Sequence, residues 1–245
     1  MWNKWTLNLV SLYPNVDIKK ALVALDLLLQ EARAPETPLL DELARLILEN
    51  HFLSSEFSPC IFDQEFGITM GTPFAVTIVN TFMYYHEKDI IEQYSNYLLL
   101  YRYFIDDNFA IWIGPKDTLL DFLAALNNKS DGIKLTHCIS ESSTSFLDLF
   151  LFKDASSSVL QFSTFQKPLN KYLYIPFKSF HPSSNKKVIM KGELIRYARS
   201  SSSFKAFSET REKIWKQLRV RGYPFRLLVP LFREIRYSDR KRWLI

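Results

Sequence analysis

Cysteine is nearly absent from this chain: 245 residues hold two, Cys60 and Cys138. Their spacing fits neither a zinc ribbon nor a disulfide framework, which suits a reducing compartment. His181 precedes Pro182 with no second His or Cys at ligand spacing, so a zinc site is excluded there and a turn residue is expected. No apolar run approaches the ~20 residues of a membrane span. The first residues, Met1-Trp2-Asn3-Lys4-Trp5, lack the basic-then-apolar pattern of a secretory signal. These absences predict a soluble protein with no membrane partner. They leave the compartment open, an intracellular, nuclear place being compatible. Internal repeats are lacking too, and Ser200-Ser201-Ser202-Ser203 reads as a local helix break.

What is present supports a packed core: 47% of residues are hydrophobic and 15% aromatic, which excludes intrinsic disorder. The length allows one large domain or two small ones. Net charge is +5, but it is unevenly placed. Residues 1–150 carry 10 Lys and Arg against 20 Asp and Glu, whereas residues 151–245 carry 21 against 6. The split suggests an acidic half able to hold metal and a basic half able to hold a polyanion. Phe162, Phe165, Tyr172, Tyr174, Phe177, Tyr223 and Phe225 are interleaved with the basic residues, as base stacking would require, although such rings also build cores.

Periodicity predicts a strand over Trp5–Ser11, then a helix capped by Asp17 and running to about Ala32 with Leu22, Leu25 and Leu29 on its inner stripe. A second helix follows Thr37-Pro38, with Leu40, Leu43 and Ile47 as its inner face. His51–Phe62 reads as a hairpin, Phe74–Tyr94 as a long helix and Lys116–Leu126 as another. Strands are expected at Ile133–Ile139, Ser145–Lys153 and Val159–Gln166, and helices at Lys186–Ala198, Ser208–Val220 and Pro224–Arg236.

Between the apolar runs Tyr97–Phe104 and Phe109–Ile113 lie two adjacent carboxylates, Asp106 and Asp107. Like charges repel, so such a pair at a tight turn suits a divalent cation that keeps part of its shell for water and phosphate oxygens. Asp is also a common turn former, so a solvated hairpin tip is the other reading, and the dipeptide alone does not choose between them.

The context does more. Phe104-Ile105-Asp106-Asp107 resembles the aromatic-x-Asp-Asp turn of reverse transcriptases. Upstream, Gln64 to Phe74 resembles their Gly-rich loop and following helix, and Leu7-Asn8-Leu9-Val10-Ser11-Leu12-Tyr13-Pro14 resembles their first catalytic strand. Phe146-Leu147-Asp148, Gln166-Lys167-Pro168, Ser179-Phe180-His181-Pro182 and Arg221-Gly222-Tyr223-Pro224 follow. This ordered series resembles the Penelope-like group of retroelement reverse transcriptases over nearly the whole chain.

The resemblance implies an α+β fold: a polymerase palm, an antiparallel sheet backed by helices, over residues 1–168, and a basic, helical, thumb-like region over 169–245. It implies template-directed addition of deoxynucleotides to an RNA or DNA primer-template, with Mg²⁺ (or Mn²⁺) on Asp106 and Asp107. Tyr13 would lie under the incoming sugar, and Gly67, Met70 and Gly71 would support template and nucleotide. Lys167, Lys171, Lys187, Arg196, Arg221 and Arg226 become candidates for binding phosphates. Asn8, however, stands where the family has its first catalytic Asp. An amide offers one neutral oxygen, so affinity for two dications should fall steeply. The fingers region expected ahead of the first strand is largely missing, and no GIY-YIG nuclease, RNase H, integrase or zinc-knuckle pattern is visible. The expectation is a truncated, catalytically impaired reverse transcriptase domain, with a missing fingers or nuclease region supplied in trans. The alternative is a non-catalytic nucleic-acid-binding remnant or subunit.

Overall fold

The computed structural model describes residues 3–130, 132–154 and 159–244, arranged as two compact units, residues 1–141 and 142–245. The expected boundary between residues 168 and 169 falls inside the second unit.

The first unit is built on an antiparallel sheet. Its strands are β1 (Asn3–Val10), β4 (Leu98–Phe104), β5 (Asp107–Trp112) and β6 (Lys134–Ser140), in the spatial order β4-β5-β1-β6. Alternation along β1 buries Leu7 and Leu9 and leaves Asn8 and Val10 on the other face. The short helix α1 (Leu12–Asn15) leads to α2 (Ile18–Glu31), where the Asp17 carboxylate accepts from the backbone N–H groups of Lys19 and Lys20, an N-cap. Then come α3 (Thr37–Glu49), the hairpin β2 (Phe52–Ser55) and β3 (Ser58–Asp63), α4 (Pro73–Gln93) and α5 (Lys116–Asn128). Leu22 and Leu25 of α2, Ile78, Val79 and Phe82 of α4, and Leu119, Phe122 and Leu126 of α5 join Leu7, Leu9, Ala110 and Trp112 of the sheet in one core.

Two sequence expectations are corrected. Leu40, Leu43 and Ile47 are exposed; α3 buries Ala44 and Leu48 instead, so the helix is rotated from the stripe that the largest residues suggested. Size outvoted position in that reading, because a small Ala can mark the closest approach of two helices. Ser145–Lys153 is not one strand. It divides into β7 (Ser143–Phe146) and β8 (Leu149–Lys153) around a two-residue turn, Leu147-Asp148, whose apolar first residue disguised the break.

The second unit adds β9 (Leu160–Thr164) to that hairpin as a sheet ordered β7-β8-β9. Helices α6 (Ser183–Arg199), α7 (Phe204–Val220) and α8 (Phe225–Glu234) follow, then a 3₁₀ turn over Tyr237–Trp243. Met190, Leu194 and Tyr197 pack with Phe207, Ile214, Leu218, Leu228 and Phe232. The Ser200–Ser203 break is observed, and Ser203 caps α7 by accepting from the Ala206 N–H. The α7–α8 turn explains the Arg221-Gly222-Tyr223-Pro224 motif. Gly222 takes φ +87°, its N–H donates to the Arg219 carbonyl, and the Tyr223 N–H donates to that of Leu218. That is a Schellman stop, with Tyr223 and Leu218 in the same core; Pro224 then precedes the next helix. No helix among the described residues is long and apolar enough to cross a membrane.

Lys186 is buried, and its ammonium donates to the carbonyls of Phe177 and Ser179, both at 2.7 Å, fastening the Ser179-Phe180-His181-Pro182 loop to α6. Lys186→Met keeps the aliphatic stem but orphans both carbonyls. We expect it to cost the second unit about 2–3 kcal/mol in denaturant unfolding; an unchanged midpoint would mean that water replaces the ammonium without loss.

Candidate functional site

The site begins with a register. β1 pairs with β5 so that Leu7 faces Asn108 and Asn8 faces Asp107. Directly opposed residues share a face, so Asn108 is turned into the core and Asp107 away from it, beside Asn8. The two side chains meet directly: Asn8 Nδ2 donates to Asp107 Oδ1 at 2.9 Å, and the Leu9 N–H donates to the Asp106 carbonyl at 2.9 Å. Reversing the amide would set oxygen against carboxylate oxygen, so the hydrogen bond fixes Asn8 as a donor to Asp107.

Asp106 is the second residue of a two-residue turn closed by the Phe104–Asp107 pair. Ile105, the first, has φ +58°, strained for a β-branched residue, and its side chain packs against the core of the first unit. Tyr13 lies near: its hydroxyl pKa is raised, by burial first and by the charge of Asp106 second. The Tyr13 carbonyl accepts from the Ile68 N–H at 2.8 Å, which docks the glycine loop on the Tyr13-Pro14 turn. The structure therefore brings Asn8, Tyr13, Asp106 and Asp107 together, with the Gly67–Ile68 loop against Tyr13-Pro14. Met70 is 70% exposed farther along that loop, and Gly71, at φ +102°, has open space around it.

Among the described residues no cluster of three or more His, Cys, Asp and Glu side chains could hold a metal. The oxygen donors at the turn are two carboxylates, one already accepting from Asn8, and one amide. That set suits one hard cation poorly and two dications worse.

Sequence reasoning missed a buried network under the turn. Tyr101 donates its hydroxyl to Glu87 Oε2 at 2.7 Å and accepts from Asn108 Nδ2 at 2.9 Å. Glu87 is almost wholly buried, and its Oε1 has no hydrogen-bond partner among the described residues. Burial pushes its pKa up to about 7, against the pull of Tyr101, Asn108 and Lys129. The available signal was an acidic residue at helical spacing between Met83 and Ile90 on the inner stripe of α4.

The phosphate candidates belong to the second unit. Lys167, Lys171, Lys187 and Arg226 are exposed. Arg196 is engaged by Asp148 at 3.1 Å and Glu193 at 2.9 Å, and Arg221 Nε donates to the Tyr174 carbonyl at 2.6 Å, so these two serve the fold first.

An antiparallel sheet with a tight Asp-Asp turn beside its central strand is the arrangement of a polymerase-type palm, and solved structures of polymerases share the fold. Telomerase from Candida albicans, in complex with a TWJ fragment of telomeric RNA, superposes with a TM-score of 0.64 at 10% identity, over 96% of this chain and 40% of that one. The RNA-dependent RNA polymerase of a human picobirnavirus gives 0.58 at 12% identity, over 99% and 49%. Apo telomerase from Candida tropicalis gives 0.53 at 14% identity, over 96% and 42%. The fold is therefore that of nucleic-acid polymerases, palm-type sheet and thumb-type helices included, and the chain spans less than half the length of these structures. A family model described as an animal helix-turn-helix domain matches residues 173–230, about a quarter of the chain. No curated protein matches the sequence.

Two tests follow. A Cβ on Gly67 would lie 2.6 Å from the Pro14 Cα and carbonyl oxygen at φ +75°, whereas one on Gly71 meets nothing. Gly67→Ala should destabilise the first unit by at least about 2 kcal/mol and Gly71→Ala by about 1; equal losses would show that the Gly67 loop yields freely. For Glu87, the folded pKa of about 7 exceeds the ordinary 4.5. Its contribution is therefore full below pH 4.5 and is lost as pH rises through 7, on the order of 3 kcal/mol in all. His86, held neutral and lowered to about 4 chiefly by burial, acts oppositely, losing stability as pH falls from 6.5. Subtracting the Glu87→Gln stability profile isolates the Glu87 slope; parallel profiles would place that carboxyl in water.

Proposed function

We propose that this chain is a reverse transcriptase domain of the retroelement, Penelope-like type that holds primer-template but transfers nucleotides weakly or not at all. The observation that carries the reading is the Asn8–Asp107 hydrogen bond. A carboxylate at position 8 would face Asp107 across the same pair of strands and, with Asp106, give an acidic cluster that only dications could neutralise. Asn8 replaces that repulsion with an internal partner, so Asp107 has a hydrogen bond with no metal.

In the same reading Asp106 is the principal ligand of Mg²⁺ (or Mn²⁺), Asp107 its assistant, and Tyr13 the residue under the sugar of a deoxynucleotide, with Gly67, Met70 and Gly71 beside template and nucleotide. The metal's chemistry would be to activate a primer hydroxyl and hold phosphate oxygens; this chain's residues hold the ends. Binding is supported by charge: counted over the two units, the first has 10 Lys and Arg against 19 Asp and Glu, and the second 21 against 7. Lys167, Lys171, Lys187 and Arg226 are free to meet phosphates.

The test is primer extension with a homopolymer template and Mn²⁺, comparing the chain with Asn8→Asp and with Asp106→Ala. We expect Asn8→Asp to gain at least about 100-fold in incorporation, and to lose it again when Asp106→Ala is added. Extension by the unaltered chain that disappears with Asp106→Ala would overturn the impaired reading. If no version extends a primer and binding to single strands is steep in salt, the non-catalytic reading stands.

A further inference from the structure

Among the described residues, a cavity of the second unit is lined by cations without acids. It lies among α7, α8 and the 3₁₀ turn, has a volume of about 430 Å³, and is flanked by Arg211, Arg233 and Arg236. A neighbouring cavity of about 390 Å³ shares Arg211, Phe232 and Arg233 and adds Trp215. Neither these arginines nor this use of Trp215 was indicated by any sequence motif.

Arg211 is the informative residue. One of its terminal nitrogens donates to the Phe232 carbonyl, and its guanidinium lies 5.4 Å from the centre of the Phe232 ring. Its Nε is buried with no partner among the described residues. No carboxylate within ion-pairing distance compensates any of the three arginines among the described residues. The acids beside them in sequence are taken: Glu212, which borders the second cavity, pairs with Lys216 at 2.6 Å, and Glu234 pairs with Lys191. Three guanidiniums gathered at one cavity repel each other, and a half-buried one lacks the water that would otherwise solvate it. Both costs are removed by one ligand of the right charge. Guanidinium forks match phosphate oxygens two at a time, and three of them outnumber the charge of a carboxylate.

We propose that this cavity is a phosphate-binding site, with Arg211 as its floor and Arg233 and Arg236 as its walls. Phosphate reaches such a site from two sources, the backbone of a single strand or a free anion. The adjoining cavity favours the strand: Trp215, partly exposed and held edge to face at 4.9 Å against the buried Phe232, offers an apolar ring next to the phosphate position, where a base could rest. That choice of source rests on the nucleic-acid reading above; the site itself does not.

The experiment uses the full 245-residue chain, a fluorescent 12-nucleotide RNA and inorganic pyrophosphate, with anisotropy and thermal melting as readouts. Arg233→Gln/Arg236→Gln alters two exposed side chains, and far-UV circular dichroism of the variant should match that of the unaltered chain. Every phosphate of a single strand that goes without its cation flattens the log–log salt dependence by about 0.7, so the double variant should flatten it by about 1.4 and weaken RNA binding about tenfold. Arg211→Lys, which keeps the charge but loses the fork, should weaken binding less. If pyrophosphate raises the melting temperature of the unaltered chain but not of the double variant, while RNA binding is unchanged, the site holds and its source is a free anion. If the double variant matches the unaltered chain with both ligands, the proposal is overturned. Asp106→Ala separates the two readings, because it removes any primer extension and should leave the arginine-dependent binding as it was.

Discussion

The pairing of β1 with β5 is the constraint on which the rest of the candidate site depends. A strand slipped by one residue would turn its whole inner set outward. Here Leu7 and Leu9 must be buried, so Asn8 must face away from the core, and the register then sets it opposite Asp107. The same pairing sends Asn108 inward, where its amide meets Tyr101 and, through Tyr101, Glu87. One register thus produces both faces of the turn: a polar edge toward solvent and a hydrogen-bonded carboxyl group in the core.

The two units divide the physical tasks by charge. In the first, acids outnumber basic residues, and the turn carries two carboxylates whose only described side-chain partner is an amide. In the second, the excess of Lys and Arg is partly consumed by folding: Lys186 ties a loop, Arg221 ties the chain near Tyr174, and Arg240 donates to the Ala198 carbonyl. Cations donating to backbone carbonyls stabilise a unit whose core is small and whose loops are long. The count of basic residues therefore overstates what is left for a polyanion, and the residues that matter for binding are those whose hydrogen-bonding capacity the fold has not used.

Much of this was legible in the sequence, for identifiable reasons. The helix capped by Asp17, the long α4, and the strand-turn-strand around Asp106 each had a local signal: a cap, a Pro at the first turn, a polar pair between apolar runs. The inner face of α3 was misread because Leu40, Leu43 and Ile47 make a better stripe than Ala44 and Leu48, and only packing can decide between them. The β7–β8 turn was missed because Leu147 is an unusual residue at φ +51°. Glu87 and Arg211 were illegible for another reason. Whether a charged side chain is buried or left unpartnered is set by elements distant in sequence, and no local pattern encodes it.

The two tight turns make a comparison that bears on function. Phe104-Ile105-Asp106-Asp107 and Phe146-Leu147-Asp148-Leu149 close their hairpins alike: an aromatic, a branched aliphatic at positive φ, then Asp. Glycine is the default at such a position, and a branched residue there is strained by roughly 1–2 kcal/mol. At Ile105 the strain has an offset, because the side chain packs on the core. Leu147 is 43% exposed at a cavity bordered by Asp148 and Arg196, where little packing is gained. What positive φ does at both turns is set the direction of the following carboxylate. Asp148 meets Arg196, while Asp106 has no ion-pair partner among the described residues. The same strained device thus yields an ion-paired carboxylate in one unit and, among the described residues, one without an ion pair in the other.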